Sequence, residues 1–325
     1  MKKHTLLTAA AMAACIVYSS YCAAENNTDN GNFQRPPTQY TSFEGVSSTL
    51  YPYVGRHVAL LTTKSNLNKT VLKKIIDVMD RSYDYYQGVT GRTPEISKSY
   101  EDRTTIAVVS KTCGHACGNV GSTGIQLTPT AFDDLYNGIL SKDEYNQTIF
   151  YEFGRNFWFY GDKLEYKDPD DADTVTTGFA VFMRFMVIEN LGINPGPFHD
   201  QDFAYFKSEV KGLLARYLAD PSLTWENTLK VGNAPDNPMD LGSTDLFASF
   251  LFKLQDMFGN EFVNKFWKEV DKRPDAATTQ DAVDNFILAA SAAARKNLTN
   301  LFLIEWRWPV SNKAQAEALK RFGNP

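Results

Sequence analysis

Apolar side chains recur at positions 71, 72, 75, 76, 79, 83 and 86, the spacing that turns one helix face into a core. Thr90-Gly91-Arg92-Thr93-Pro94 ends that helix. Two β-rich runs flank it, His57–Thr63 (HVALLTT) and Thr104–Ser110 (TTIAVVS), and both read as strands. A glycine-rich stretch from Cys113 to Gly124 leads into Ile125-Gln126-Leu127, read as a short edge strand. From Ser141 onward the pattern is helical. It predicts helices over about 143–160, 177–191, 201–219, 243–257, 260–272, 279–294 and 312–322, parted by Pro, Gly and Asn turns. The segment 177–191 is the most apolar and reads as a buried core helix. It is too short to span a bilayer and carries Arg184 and Glu189. Strands with one helix, followed by an all-helical half, predict the α+β class. A cleft between the halves is the default place for a site.

The chain start changes the picture. Lys2 and Lys3 precede a mostly apolar run from Leu6 to Tyr21, and Cys22-Ala23-Ala24 supplies small residues for cleavage. Residues 1–24 therefore read as an export signal, which places the protein in the periplasm or outside the cell. Met12-Ala13-Ala14-Cys15 is a poor lipoprotein box, because the chain stays apolar after Cys15. Residues 25–45, rich in Asn, Thr and Pro, read as a flexible lead-in. The division expected after that is 46–160 for the α+β part and 161–325 for the helical part. Loss of the two signal lysines takes the formal charge from −5 to −7. With no basic patch, nucleic acid is not an expected partner. Two of the four cysteines lie in the signal. The other two form Cys113-Gly-His-Ala-Cys117, a small-loop disulfide in an oxidising compartment. A Cys-x-His-x-Cys metal site is the sharper alternative, but it needs a fourth ligand.

The chemistry concentrates in residues 149–160, IFYEFGRNFWFY. On a helix, histidines at i and i+4 face one zinc, and a glutamate beside the first polarises the bound water. Here the five positions of H-E-x-x-H hold Tyr151, Glu152, Phe153, Gly154 and Arg155. The layout from 46 to 311 resembles the gluzincin branch of zinc metallopeptidases, particularly secreted bacterial enzymes of the enhancin-like and collagenase-like kind. Four pieces carry the resemblance: Tyr85-Tyr86-Gln87-Gly88-Val89-Thr90-Gly91, Gly124-Ile125-Gln126-Leu127, the helix around Glu152, and Ala289–Ser311 with its Trp306-Arg307-Trp308-Pro309. The resemblance implies a zincin-like fold with a small mixed sheet. It also implies an edge strand at Gln126 that binds substrate backbone, and a third metal ligand near Thr177, where a glutamate would stand. All three metal ligands are thus replaced.

Arginine stays protonated and offers only donors, so it cannot hold zinc. One tyrosine and one glutamate make a poor zinc site, and no zinc is expected. Arg155 follows Glu152 by three residues, within pairing reach on a helix. The expectation is a cleft cluster of Tyr151, Glu152 and Arg155, joined by Thr177 and Gln126, with the guanidinium standing where the metal stood. The same spacing also suits a solvated helix pair, and the flanking aromatics suit plain core packing. Asp168, Asp170, Asp171 and Asp173 have spacing that could suit calcium, but the loop lacks the glycine and distal glutamate of an EF-hand. The expected function is a non-catalytic cleft that binds a peptide, glycoprotein or glycan outside the cytoplasm. The alternative is a secreted hydrolase that uses Glu152 with a non-standard metal or none. A third reading, a structural interaction protein, makes the cleft irrelevant.

Overall fold

The computed structural model describes residues 33–167 and 173–325. The export signal, and the candidate calcium loop apart from Asp173, lie outside the described residues. Seven strands form one sheet: β1 (Thr38–Thr41), β2 (Ser47–Val54), β3 (Val58–Thr62), β4 (Ser99–Tyr100), β5 (Arg103–Val108), β6 (Ala116–Gly118) and β7 (Ile125–Leu127). Their order is β1-β2-β3-β5-β7-β6, with β4 paired to β5. The β3–β5 and β5–β7 pairs are parallel, and the others are antiparallel. Helix α1 (Lys69–Thr90) connects β3 to the β4–β5 hairpin.

Every residue of β3 is buried, and period-two alternation divides them between two cores. Val58 and Leu60 pack with Val71, Leu72, Ile75 and Met79 of α1. Ala59 and Leu61 face a smaller cluster with Tyr40, Leu50, Ala107 and Val109.

Two sequence expectations change here, and one strand is added. Part of the lead-in, Thr38–Thr41, is a paired strand, because Tyr40 seals the smaller cluster at 7% exposure. Ile125–Leu127 is not an edge strand: β6 covers it, and β6 is the edge. Strand β2 escapes a pattern reading because Pro52 interrupts it. The Pro52 carbonyl accepts from the Arg35 N–H, so its own nitrogen points to that side and no bond to β3 is lost.

The helices follow as α2 (Pro129–Lys142), α3 (Thr148–Asn156), α4 (Gly161–Leu164), α5 (Thr174–Asn190), α6 (Phe203–Ala219), α7 (Ser243–Phe258), α8 (Asn260–Asp271), α9 (Thr279–Ala294) and α10 (Asn312–Phe322). The expected helix over 143–160 is in fact the C-cap of α2, a loop, the short helix α3 and the turn that leads into α4. Asp143 closes α2 in the left-handed region at φ 57°. α5 is buried along nearly its whole length, packed against α3 and α7. Around it runs an aromatic bed in which Trp267 meets Trp158, Tyr160, Phe179 and Phe266. Each such side chain contributes roughly 1.5–3 kcal/mol on burial. Among the described residues no helix is long and apolar enough to cross a membrane.

Candidate functional site

Helix α3 lies between the edge strand β6 and helix α5. Its inner side is set by Ile149, Phe150 and Phe153, and the Tyr86 hydroxyl donates to the Phe150 carbonyl at 2.7 Å. Its outer positions, Thr148, Tyr151 and Arg155, are half-buried and recur at helical spacing. Gly154 permits the close crossing with α5, where a Cβ would come within 3.4 Å of the Ala180 Cα.

On that outer side Arg155 meets Tyr151 and Thr177, the positions singled out in the sequence. Its Nη1 donates to the Tyr151 hydroxyl at 3.4 Å and to the Thr177 hydroxyl at 3.2 Å. The Asp173 carboxylate stands 3.9 Å from the same nitrogen, and Thr177 donates to that carboxylate at 2.7 Å. Burial works against the Arg155 charge, but Tyr151, Asp173 and Glu152 outweigh it and raise its pKa.

Two expected members sit elsewhere. Glu152 does not pair with Arg155. It turns toward the sheet, where Oε2 accepts from the Gly118 N–H at 2.7 Å. Adjacent faces of α3 look onto different neighbours, so spacing of three along the helix sends the two side chains apart. Gln126 lies on the opposite face of the sheet. Its Nε2 donates to the Tyr40 hydroxyl at 3.0 Å, and its register partner Ala107 belongs to the smaller core. The cluster is therefore Tyr151, Arg155, Thr177 and Asp173, with Glu152 behind it. Cys113 and Cys117 form a disulfide at the start of β6.

Spacing did not reveal three participants. Gly118 supplies the amide that holds Glu152. A Cβ there would fall 2.3 Å from the Glu152 carbonyl oxygen. Arg184, one helical repeat beyond Thr177, lies beneath Tyr151, and its guanidinium is 5.8 Å from that ring and 4.5 Å from Phe198. Burial pulls its pKa down to about 10, against Asp245, Tyr151, Tyr86 and Glu152. Asp245 is the third; burial raises its pKa while Arg184 lowers it. The sequence did show a buried helix carrying one arginine, which was the available signal for Arg184.

Burial raises the Glu152 pKa despite Arg155, the Gly118 amide and Arg184. The folded chain therefore holds this proton more tightly than the unfolded chain. Stability is greatest below the ordinary glutamate range and falls as pH rises through the folded value. Glu152→Gln removes that slope. Its stability relative to wild type should rise across this window, measured by urea unfolding between about pH 4 and 8. A difference that stays flat with pH would contradict the assignment.

The side chains at the cluster are two hydroxyls, a guanidinium, the Asp173 carboxylate and a recessed glutamate, with no imidazole or thiolate, and this set fits zinc poorly. Among the described residues, no group of three or more His, Cys, Asp or Glu side chains is placed to hold a metal.

No protein-family model and no curated sequence matches this chain. Solved structures do match. A functionally unknown conserved protein from Bacillus anthracis str. Ames has a TM-score of 0.57 at 12% identity, over 83% of this chain and 51% of that one. The M60 catalytic domain of Clostridium perfringens ZmpC, solved in complex with the sialyl T antigen, has a TM-score of 0.54 at 14% identity, over 85% and 49%. A Clostridium perfringens ZmpB structure with CBM32-1, CBM32-2 and M60 catalytic domains scores 0.54 at 15%, over 87% and 27%. The fold is that of the M60 metalloprotease catalytic domains. The chain spans about half the length of the first two structures or less than a third of the last.

Proposed function

We propose that this chain is an exported protein that keeps a gluzincin-type cleft and binds a peptide or glycan there without zinc hydrolysis. One observation carries the reading. Arg155 stands at the second histidine position of H-E-x-x-H and bonds both Tyr151 and Thr177, the other two replaced positions. A fixed positive charge there repels a divalent cation and leaves no lone pair to ligate one. The ZmpC domain in complex with the sialyl T antigen supports a glycan as one ligand class for this fold.

A second reading keeps catalysis. Glu152 is buried, held by one amide and raised in pKa, as suits an acid or base acting without zinc.

Both readings meet in one experiment. The purified chain is screened against peptides, mucins and glycans, with and without added divalent metals, and its zinc content is measured. The proposal expects zinc far below one per chain and no metal-dependent turnover. A metal-dependent rate that Glu152→Gln abolishes would overturn it. A metal-independent rate lost in the same variant would establish the second reading.

A further inference from the structure

We propose that the Cys113–Cys117 bridge is a site of reversible covalent modification by a low-molecular-weight thiol, and that Cys113 is the sulfur attacked and capped. No residue of the Arg155 cluster takes part, so the inference stands apart from whatever the cleft binds.

The two sulfurs are not equivalent. Cys113, Gly114 and His115 are exposed, whereas Cys117 is half-buried as the middle residue of β6. Its register partner is Gln126, so the two side chains share a face of the sheet. Gln126 is fully buried there and donates to the Tyr40 hydroxyl. Neighbours therefore crowd the Cys117 sulfur. Cys113 precedes the strand, in the loop, where solvent reaches it. Exchange starts at whichever sulfur a thiolate can approach, and access is a main control on its rate.

Opening the bridge leaves the backbone held by other contacts. Thr128 donates both its N–H and its hydroxyl to the His115 carbonyl, each at 3.1 Å. Ala116, Cys117 and Gly118 pair with Leu127, Gln126 and Ile125 of β7. Thr112 and Ala116 are buried and anchor the segment on the protein. The bridge joins residues only four apart. It therefore removes little freedom from the unfolded chain, since that gain grows with loop length. Once reduced, the Cys113 thiol has an acceptor in the Ala116 carbonyl, 3.7 Å from its sulfur. An exposed bridge that the fold does not need is one that exchanges readily, unlike a bridge that staples a core.

The chemistry balances with thiols alone. A thiolate RS⁻ attacks Cys113 Sγ and forms a new S–S bond. The bond to Cys117 Sγ breaks, its electron pair leaves on Cys117, and that thiolate takes a proton from water. The product is Cys113 capped as a mixed disulfide, beside a free Cys117 thiol. Return of Cys117 to the mixed disulfide expels RS⁻ and restores the bridge. A second RS⁻ acting instead releases RSSR and leaves two thiols, a two-electron reduction by two molecules of thiol.

Glutathione is the probe, used on the whole chain without denaturant. Peptide mass spectrometry after acid quenching separates this pair from Cys15 and Cys22. In wild type, reduced glutathione at about 10 mM should open the bridge and leave a glutathione adduct at Cys113, while the circular dichroism spectrum stays that of the folded chain. Oxidised glutathione should cap Cys113 in a Cys117→Ser variant about tenfold faster than it caps Cys117 in Cys113→Ser. Both variants lack the bridge, so the difference reports access to each sulfur. Equal rates, or faster capping of Cys117, overturn the assignment to Cys113. A wild-type bridge that opens only when denaturant is added overturns the modification site itself. The wild-type measurement decides this even if a serine variant fails to fold.

Discussion

The triple variant Tyr151→His, Arg155→His, Thr177→Glu is expected to bind zinc far more tightly than the wild-type chain. Positions 151 and 155 lie one turn apart on the outer side of α3, and Arg155 already reaches both Tyr151 and Thr177 through one nitrogen. Two imidazoles at i and i+4, with a carboxylate from α5, then converge on one point. Gly154, between them, preserves the close approach to α5. Removing the guanidinium also removes the charge that opposes a cation. The gain over wild type should be on the order of 10³-fold in affinity or more, because wild type offers no comparable donor set. Zinc retained through dialysis at about one per chain is the expected readout, with release by a chelator. If the folded triple variant retains none, α3 and α5 do not hold the spacing of a metal site, and the idea of an inherited cleft fails with it.

Gly118→Ala should be among the most damaging single substitutions outside the aromatic core. The new Cβ would fall 2.3 Å from the Glu152 carbonyl oxygen and 3.0 Å from its carbon, both backbone atoms that cannot rotate away. Strand β6 and helix α3 must separate to admit it. Separation also stretches the Gly118 amide from a buried carboxylate. Overpacking costs about 1–3 kcal/mol, and loss of a hydrogen bond to a charged group a further 1.5–3. A loss of roughly 3–5 kcal/mol follows, which lowers Tm by roughly ten degrees in a chain of this size. Gly88→Ala is the control. It lies within α1, nothing stands within 4 Å of its Cβ, and it should gain about 0.5–1 kcal/mol. If Gly118→Ala melts with wild type, β6 does not press on α3 as described.

Much of this architecture was legible because its strongest signals are long and periodic. The helices α6 to α10 begin and end within about two residues of the apolar pattern. Thr278 and Asp281 form a capping box where α9 starts, and Gly259 parts α7 from α8. Shorter features were harder to read. Helix α2 opens on Pro129 behind the Thr128 cap, directly after a strand, and its signal runs into the glycine-rich segment. Strand β6 has only Ala116, Cys117 and Gly118, too few for alternation to register. Ile125–Leu127 carries the clearer strand signal, and the sequence alone therefore points to β7 as the edge.

At the site, spacing identified which residues cluster but not which way they turn. Tyr151, Arg155 and Thr177 meet. Glu152 is drawn away by an amide from a strand thirty-four positions earlier, a contact that no local pattern encodes. Arg184 was visible only as a charge in an apolar helix. Its place under Tyr151 depends on how α5 crosses α3.

The two sides of α3 carry separate duties. Phe150, Phe153 and Phe157 lock the helix into the aromatic bed with no exposed surface, while Tyr151 and Arg155 stand at partly open positions beside Thr177 of α5. Substitution at the partly open positions costs the fold less than substitution in the aromatic bed. Successive generations can trade one recognition chemistry for another there without passing through an unfolded intermediate sequence.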